Sequence, residues 1–236
     1  MTKFGIIGAM QIEVDLLQEQ MEHCQVSQRA GMSFYDGTLC GVAAVVVKSG
    51  AGKVNSAICA QILADLFGVT HIINTGVAGS LNPEVDYCDI VISTEVCYHD
   101  MHNEAMGYKP GEPLRPGWLL YTADEGLTGE AERACAKVLA DMENPPKIHK
   151  GRIVTGDWFV NTSERKASIV AKFGGLCTEM EGASIGHSAY LNGIPFVVIR
   201  AISDKADDDA NVDFHAFEIE AANRSAKVVM EMIRGH

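Results

Sequence analysis

Short apolar runs recur along the chain, and stretches of helical character separate them. Runs at residues 4–7, 71–74, 89–93, 151–155 and 195–199 are each four or five residues long. That length suits a buried strand and is too short for a stable helix. Between them, residues 13–21, 54–67, 126–142 and 163–173, a segment starting near Glu181, and 213–234 read as helices. Asn144-Pro145-Pro146 stops the 126–142 helix, and Ser163 suits an N-cap. Strands alternating with helices define the α/β class. Residues 31–39 alternate and read as the hairpin partner of strand 42–47, which makes the sheet mixed. Residues 75–79 follow strand 71–74. At 236 residues, with no repeat, linker or low-complexity segment, one domain spanning 1–236 is expected.

A net charge of −12 argues against a nucleic-acid surface, which needs clustered Lys and Arg. The seven cysteines are odd in number and contain no CxxC. They read as reduced structural thiols of a cytoplasmic protein, not as a disulfide frame or a zinc site. No signal peptide is expected, because Gln11 and Glu13 interrupt the first apolar run at once. No run reaches the ~18 apolar residues of a membrane span. Residues 98–117 are rich in Gly and Pro without periodicity, and a loop that long is usually functional or lies at a partner surface.

The chemistry gathers between Cys177 and Asp207. Glu179-Met180-Glu181 stands where a helix begins, and Ser203-Asp204 follows the apolar run 195–199. Open α/β sheets place ligands at the carboxyl ends of their strands. Glu13 follows the first strand in the same way. Each acid also has a plainer reading: Glu13 and Glu181 as helix N-terminal acids favoured by the dipole, Asp204 as a turn cap. Phe159, after Gly156-Asp157, is either core or a platform for a flat ring. Ser49-Gly50-Ala51-Gly52-Lys53 lacks the first Gly and the final Ser/Thr of a triphosphate loop. His99, Asp100, His102 and Glu104 are too crowded for a metal set and read as a solvated or ligand-lining loop. GxGxxG after the first strand, GxSxG and HExxH are all absent.

Taken in order, GIIGAM with Glu13, KSGAGKV at 48–54, NTGVAG at 74–79, YHD at 98–100, TGDWF at 155–159, EMEG at 179–182 and RAISD at 200–204 resemble the nucleoside phosphorylase/hydrolase superfamily over nearly the whole chain. Within it, the nucleosidases that act on 5′-alkylthio-adenosines are most similar. The resemblance implies a single-domain three-layer α/β/α fold with a central mixed sheet, no cofactor or metal, an adenosine-type nucleoside as ligand and a homodimer. It implies hydrolysis of methylthioadenosine and S-adenosylhomocysteine to adenine and an alkylthioribose, a step of methionine salvage. By the same resemblance Asp204 protonates the purine at N7, Glu13 activates water, and Glu181, beside Met180, holds the ribose hydroxyls. Phe159 stacks on adenine and the Val160 backbone reads its edge. Met10, Met106 and Phe214 line the alkylthio pocket, which a neighbouring subunit partly closes, and Ser203 and Arg200 support the acid and the site. Gln11, Ile12, Val77, Ala51 and Met106 depart from the commonest family pattern; Val77 stands where a Ser is frequent.

The residues suit that chemistry. A free Asp titrates near 3.9, so holding Asp204 protonated near neutrality requires ~4 kcal/mol of environmental bias. Burial at a strand end supplies part of it. Glu13 is expected to stay ionised and take a proton from water, and an anionic Glu181 is expected to favour positive charge on the sugar. Phosphorolysis is the competing reaction. A phosphate nucleophile needs cations, and residues 4–28 contain no Lys or Arg. Arg200 and Lys53 keep that alternative open.

Overall fold

The structure, a computed structural model, describes residues 2–114, 119–234 and 236. The strands are β1 (Phe4–Gly8), β2 (Met21–Arg29), β3 (Met32–Leu39), β4 (Val42–Lys48), β5 (His71–Ser80), β6 (Ile90–Tyr98), β7 (Tyr121–Thr122), β8 (Ile148–Thr155), β9 (Cys177–Glu179) and β10 (Phe196–Asp204). The helices are α1 (Gln11–Glu19), α2 (Lys53–Phe67), α3 (Glu125–Leu139), α4 (Ser163–Phe173), α5 (Gly182–Asn192) and α6 (Ala210–Ile233).

All ten strands join one mixed sheet. β1 runs parallel to β4 and β5, and β5 parallel to β10. β6 runs parallel to β8, and β8 to β9, while β5–β9 and β6–β10 are antiparallel. The pairings β5–β10–β6–β8–β9–β5 form a ring, so this half of the sheet closes on itself. The other half ends in the antiparallel ribbon β4–β3–β2.

Side chains alternate across the central strands, and each face carries its own helices. Ile7, Val45, Val47, Ile72 and Val198 meet Cys59, Ala60 and Leu63 of α2 and Ile185 and Ala189 of α5. Phe4, Ile6, Val46, Ile73, Val197 and Ile199 meet Val14 and Leu17 of α1, the buried face of α3, and Val228, Val229 and Met232 of α6. The chain is therefore three-layered, as expected. β1, β5 and β10 are buried along nearly their whole length, as a sheet covered on both faces requires.

The departures from the sequence reading have local causes. The first helix ends at Glu19, and Met21–Arg29 is a strand. Its residues are mostly exposed and polar, so no burial period marks it; the ladder with β3 makes it a strand. β5 runs on past residue 74 through residues 75–79, because β10 pairs with them from Thr75 to Gly79. Part of the 98–117 loop, residues 115–117, lies outside the described residues.

Candidate active site

Six chain segments leave the sheet around one cleft: residues after β1, β4 and β8, the end of β5, the β9–α5 junction and the end of β10. Glu13, Glu179, Glu181 and Asp204 line it, with Met10, Val77, Phe159, Val160, Met180, Ser203 and Phe214, and among the described residues no Lys or Arg lines it. The structure thus brings the three acids singled out in the sequence into one space.

Glu13 occupies the third position of α1, and its carboxylate reaches back to the helix start. Oε2 accepts from the amides of Ala9 (2.7 Å) and Met10 (2.9 Å), and Oε1 from the amide of Val77 at the end of β5 (3.0 Å). Glu13 therefore both caps its helix and lines the cleft. Burial raises its pKa, while Arg200 and the three amides pull the other way.

Asp204 ends β10 and is 2% exposed. Its Oδ1 accepts from the Ala206 amide (2.8 Å) and its Oδ2 from the Ser203 hydroxyl (2.9 Å). Burial is the main cause that raises its pKa, with Asp213 and Asp207 adding to it against those two hydrogen bonds. That is the direction a purine-protonating acid needs.

Glu181 is the N-cap of α5, and Gly52 at the start of α2 donates its amide to Oε1 (2.8 Å). Its pKa is pushed up to about 8 by burial and by neighbouring Glu179 and Glu13, with Arg200 opposing. The expectation of an anionic Glu181 is corrected here: in the open cleft it holds its proton near neutrality, because three carboxyls share one guanidinium.

That guanidinium is Arg200, fully buried under the floor of the cleft and absent from its lining. Nη2 forms an ion pair with Glu179, bonds Asn74 Oδ1 (2.5 Å) and lies 3.5 Å from Glu181. Glu179 also accepts from the Thr155 hydroxyl and from the amides of Glu181 (3.0 Å) and Gly182 (2.7 Å). Its helix-start role is therefore real, with the anchoring of Arg200 added.

Phe159 is 40% exposed and packs edge-on to Phe214, ring centroids 5.8 Å apart, which leaves a face free for a flat ring. Met106 is not brought to the cleft of its own chain. Its loop turns toward α5, and Met106 lines a separate depression with Met101, Leu114 and His187. Sequence reasoning did not assign Trp158, which lines the cleft beside Phe159 under the Arg165 guanidinium, 4.1 Å from its ring centroid. Its place in the TGDWF segment was the available signal. Among the described residues no cluster of three His, Cys, Asp or Glu could hold a metal, and no helix is long and apolar enough to cross a membrane.

The family model of the phosphorylase superfamily matches residues 3–234. The chain belongs to the phosphorylase superfamily. It is 42% identical over 234 residues to the 5′-methylthioadenosine/S-adenosylhomocysteine nucleosidase of an Exiguobacterium species, covering 98% of this chain and 97% of that one. It is 41% identical over 236 residues to the nucleosidase of the same name from Geobacillus kaustophilus, covering 98% and 96%. The crystal structure of the Neisseria meningitidis 5′-methylthioadenosine/S-adenosylhomocysteine nucleosidase in complex with methylthio-immucillin-A superposes with a TM-score of 0.93 at 36% identity, over 100% of both chains. Full-length likeness to these nucleosidases agrees with the acid-lined cleft.

Proposed function

We propose that this chain hydrolyses the N-glycosidic bond of 5′-methylthioadenosine and S-adenosylhomocysteine, releasing adenine and the alkylthioribose. The observation that carries the reading is one cleft lined by Glu13, Glu181 and Asp204 and, among the described residues, by no cation. Phe159 supplies the face for the adenine ring, and the Val160 backbone lies beside it to read the base edge. Asp204, whose pKa burial raises, gives its proton to the purine N7 so that adenine leaves neutral. Glu13 takes the proton of the attacking water while the sugar carries oxocarbenium character. Glu181 holds the ribose hydroxyls, and positive charge on the sugar draws it toward its anionic form. Met10, Val77 and Phe214 form the apolar end for the alkylthio group.

The lining also bears on phosphorolysis. Lys53 is held 2.6 Å from Asp100 and 3.7 Å from Asp157, and Arg200 is taken by Glu179. A phosphate entering the cleft would meet Glu13, the ionised base of this reading, and no cation among the described lining residues, which Coulomb repulsion disfavours.

The reading includes a homodimer in which Met106 of the partner subunit closes the alkylthio end. Its support is the exposure of Met106 (66%), Val54 (69%) and Leu191 (63%). It also includes a cytoplasmic setting, supported by seven free thiols. The test is adenine release from methylthioadenosine in phosphate-free buffer. Release at a rate that phosphate does not raise is expected; release that requires phosphate would replace hydrolysis with phosphorolysis. Sedimentation at twice the chain's mass tests the dimer, and a monomer retaining full activity would overturn it.

A further inference from the structure

Three loops around the cleft are tied by a polar ring whose side chains stand outside the lining. Asp100, two residues past β6, places Oδ2 2.6 Å from the Lys53 ammonium and accepts the Asp157 amide on the same oxygen at 2.8 Å. Asp157 in turn accepts the Lys53 amide on Oδ1 at 2.8 Å, and its Oδ2 lies 3.7 Å from the Lys53 ammonium. Lys53 opens α2, and the residue before it, Gly52, gives its amide to Glu181. On the other side, Asp157 is followed directly by Trp158, Phe159 and Val160, which line the cleft.

The ring is better placed than a surface ion pair. The side chains of Lys53 and Asp100 are only 21% and 14% exposed, so water screens the pair weakly. The fit at Gly52 is close: a Cβ there would come 3.0 Å from Asp157 Oδ1. Gly52 also has φ +96°, a conformation a side chain would strain. Asp157 therefore bears directly on the backbone whose amide holds Glu181.

We propose that Asp100 is a positioning residue for glycosidic cleavage: through Lys53 and Asp157 it holds the Gly52 amide on Glu181 and the Trp158–Phe159–Val160 segment in one arrangement. Asp100 touches neither base nor sugar. It acts through the sugar clamp, joining it to the base platform across three separate loops. Asn at this position keeps the size of the side chain and removes the charge. Lys53 then has Asp157 as its remaining anion, and that carboxylate already receives the Lys53 amide. Misplacing a substrate-holding group by about 1 Å costs on the order of 100-fold in rate.

The inference rests on the nucleosidase reading, and a double-mutant cycle separates the two. Adenine release from methylthioadenosine is measured for the wild type, Asp100→Asn, Glu181→Gln and the double variant, with thermal unfolding followed for each. The expected result is an active wild type, a drop in kcat/KM of at least ~10-fold for Asp100→Asn, and a further drop of under ~3-fold when the same change is made in Glu181→Gln. A full drop that persists in the Glu181→Gln background assigns Asp100 a merely structural role and overturns the proposal. So does an Asp100→Asn variant within ~3-fold of wild type. A wild type that releases no adenine overturns the nucleosidase reading, and the positioning role with it. Should Asp100→Asn show no cooperative unfolding, Lys53→Met is carried through the same cycle under the same thresholds.

Discussion

Replacing Arg200 by Met tests the electrostatic floor of the cleft. Met keeps much of the stem and removes the guanidinium that Glu179, Glu181 and Glu13 share. Removing one partner of a buried ion pair costs about 3–5 kcal/mol, because the other charge stays behind. Glu179 keeps three donors, the Thr155 hydroxyl and the amides of Glu181 and Gly182, so the lower end, about 3 kcal/mol, applies. For a chain of this size that is a fall in Tm of about 6–12 °C. The penalty must also depend on pH. The guanidinium favours the ionised forms of Glu181 and Glu13, so its loss raises their pKa values further, and the variant loses more stability at pH 8 than at pH 6. Urea unfolding of both proteins at the two pH values measures this. A loss under about 1 kcal/mol, or a larger penalty at the lower pH, would refute the shared-cation argument.

In the wild type, Asp204, Glu13 and Glu181 all bind protons more tightly folded than unfolded, so the folded state carries the extra protons. The contribution of these three acids to stability should fall as pH rises from about 4.5 toward 8; the wild type's advantage over Glu181→Gln in urea unfolding should shrink across that window, and an advantage that grows would contradict the assignment. Asp204→Asn should lower kcat by about 10²–10⁴ while a substrate analogue still binds, read by calorimetry alongside turnover. Gly79→Ala would place a Cβ 2.6 Å from Asp204 Oδ1 and 2.9 Å from the Ala206 Cβ. It should cut kcat at least ~10-fold by displacing the acid; wild-type turnover would show that Asp204 need not sit where it does.

Much of this architecture was legible because burial on both faces leaves a plain mark. β1 and the Phe196–Ile199 half of β10 are apolar runs, and α4 covers the expected 163–173, although its N-cap is Thr162, whose hydroxyl accepts from the Arg165 amide, and not Ser163. β2 left no mark, since it lies at the sheet edge with both faces largely wet. Residues 75–79 were not read as part of their strand for a different reason. They include two glycines because the strand runs against the site: a Cβ on Gly76 would strike Arg200 and Glu13, and one on Gly79 would strike Asp204. The three acids were found because each follows a strand. Their protonation was not legible, since the rise of Glu181 to about 8 depends on Glu179 and Glu13 meeting it in space. Met106 was expected in the cleft by resemblance, and within one chain its loop lies against α5 instead.

The account stands or falls on Glu13 as the base that activates water. Glu13→Gln keeps an oxygen that can accept from the surrounding amides but removes the proton acceptor. The measurement is kcat for adenine release from methylthioadenosine, paired with the affinity of a non-hydrolysable adenosine analogue. A kcat at least ~100-fold below wild type with the analogue still bound is the predicted result. Turnover equal to wild type would contradict the mechanism.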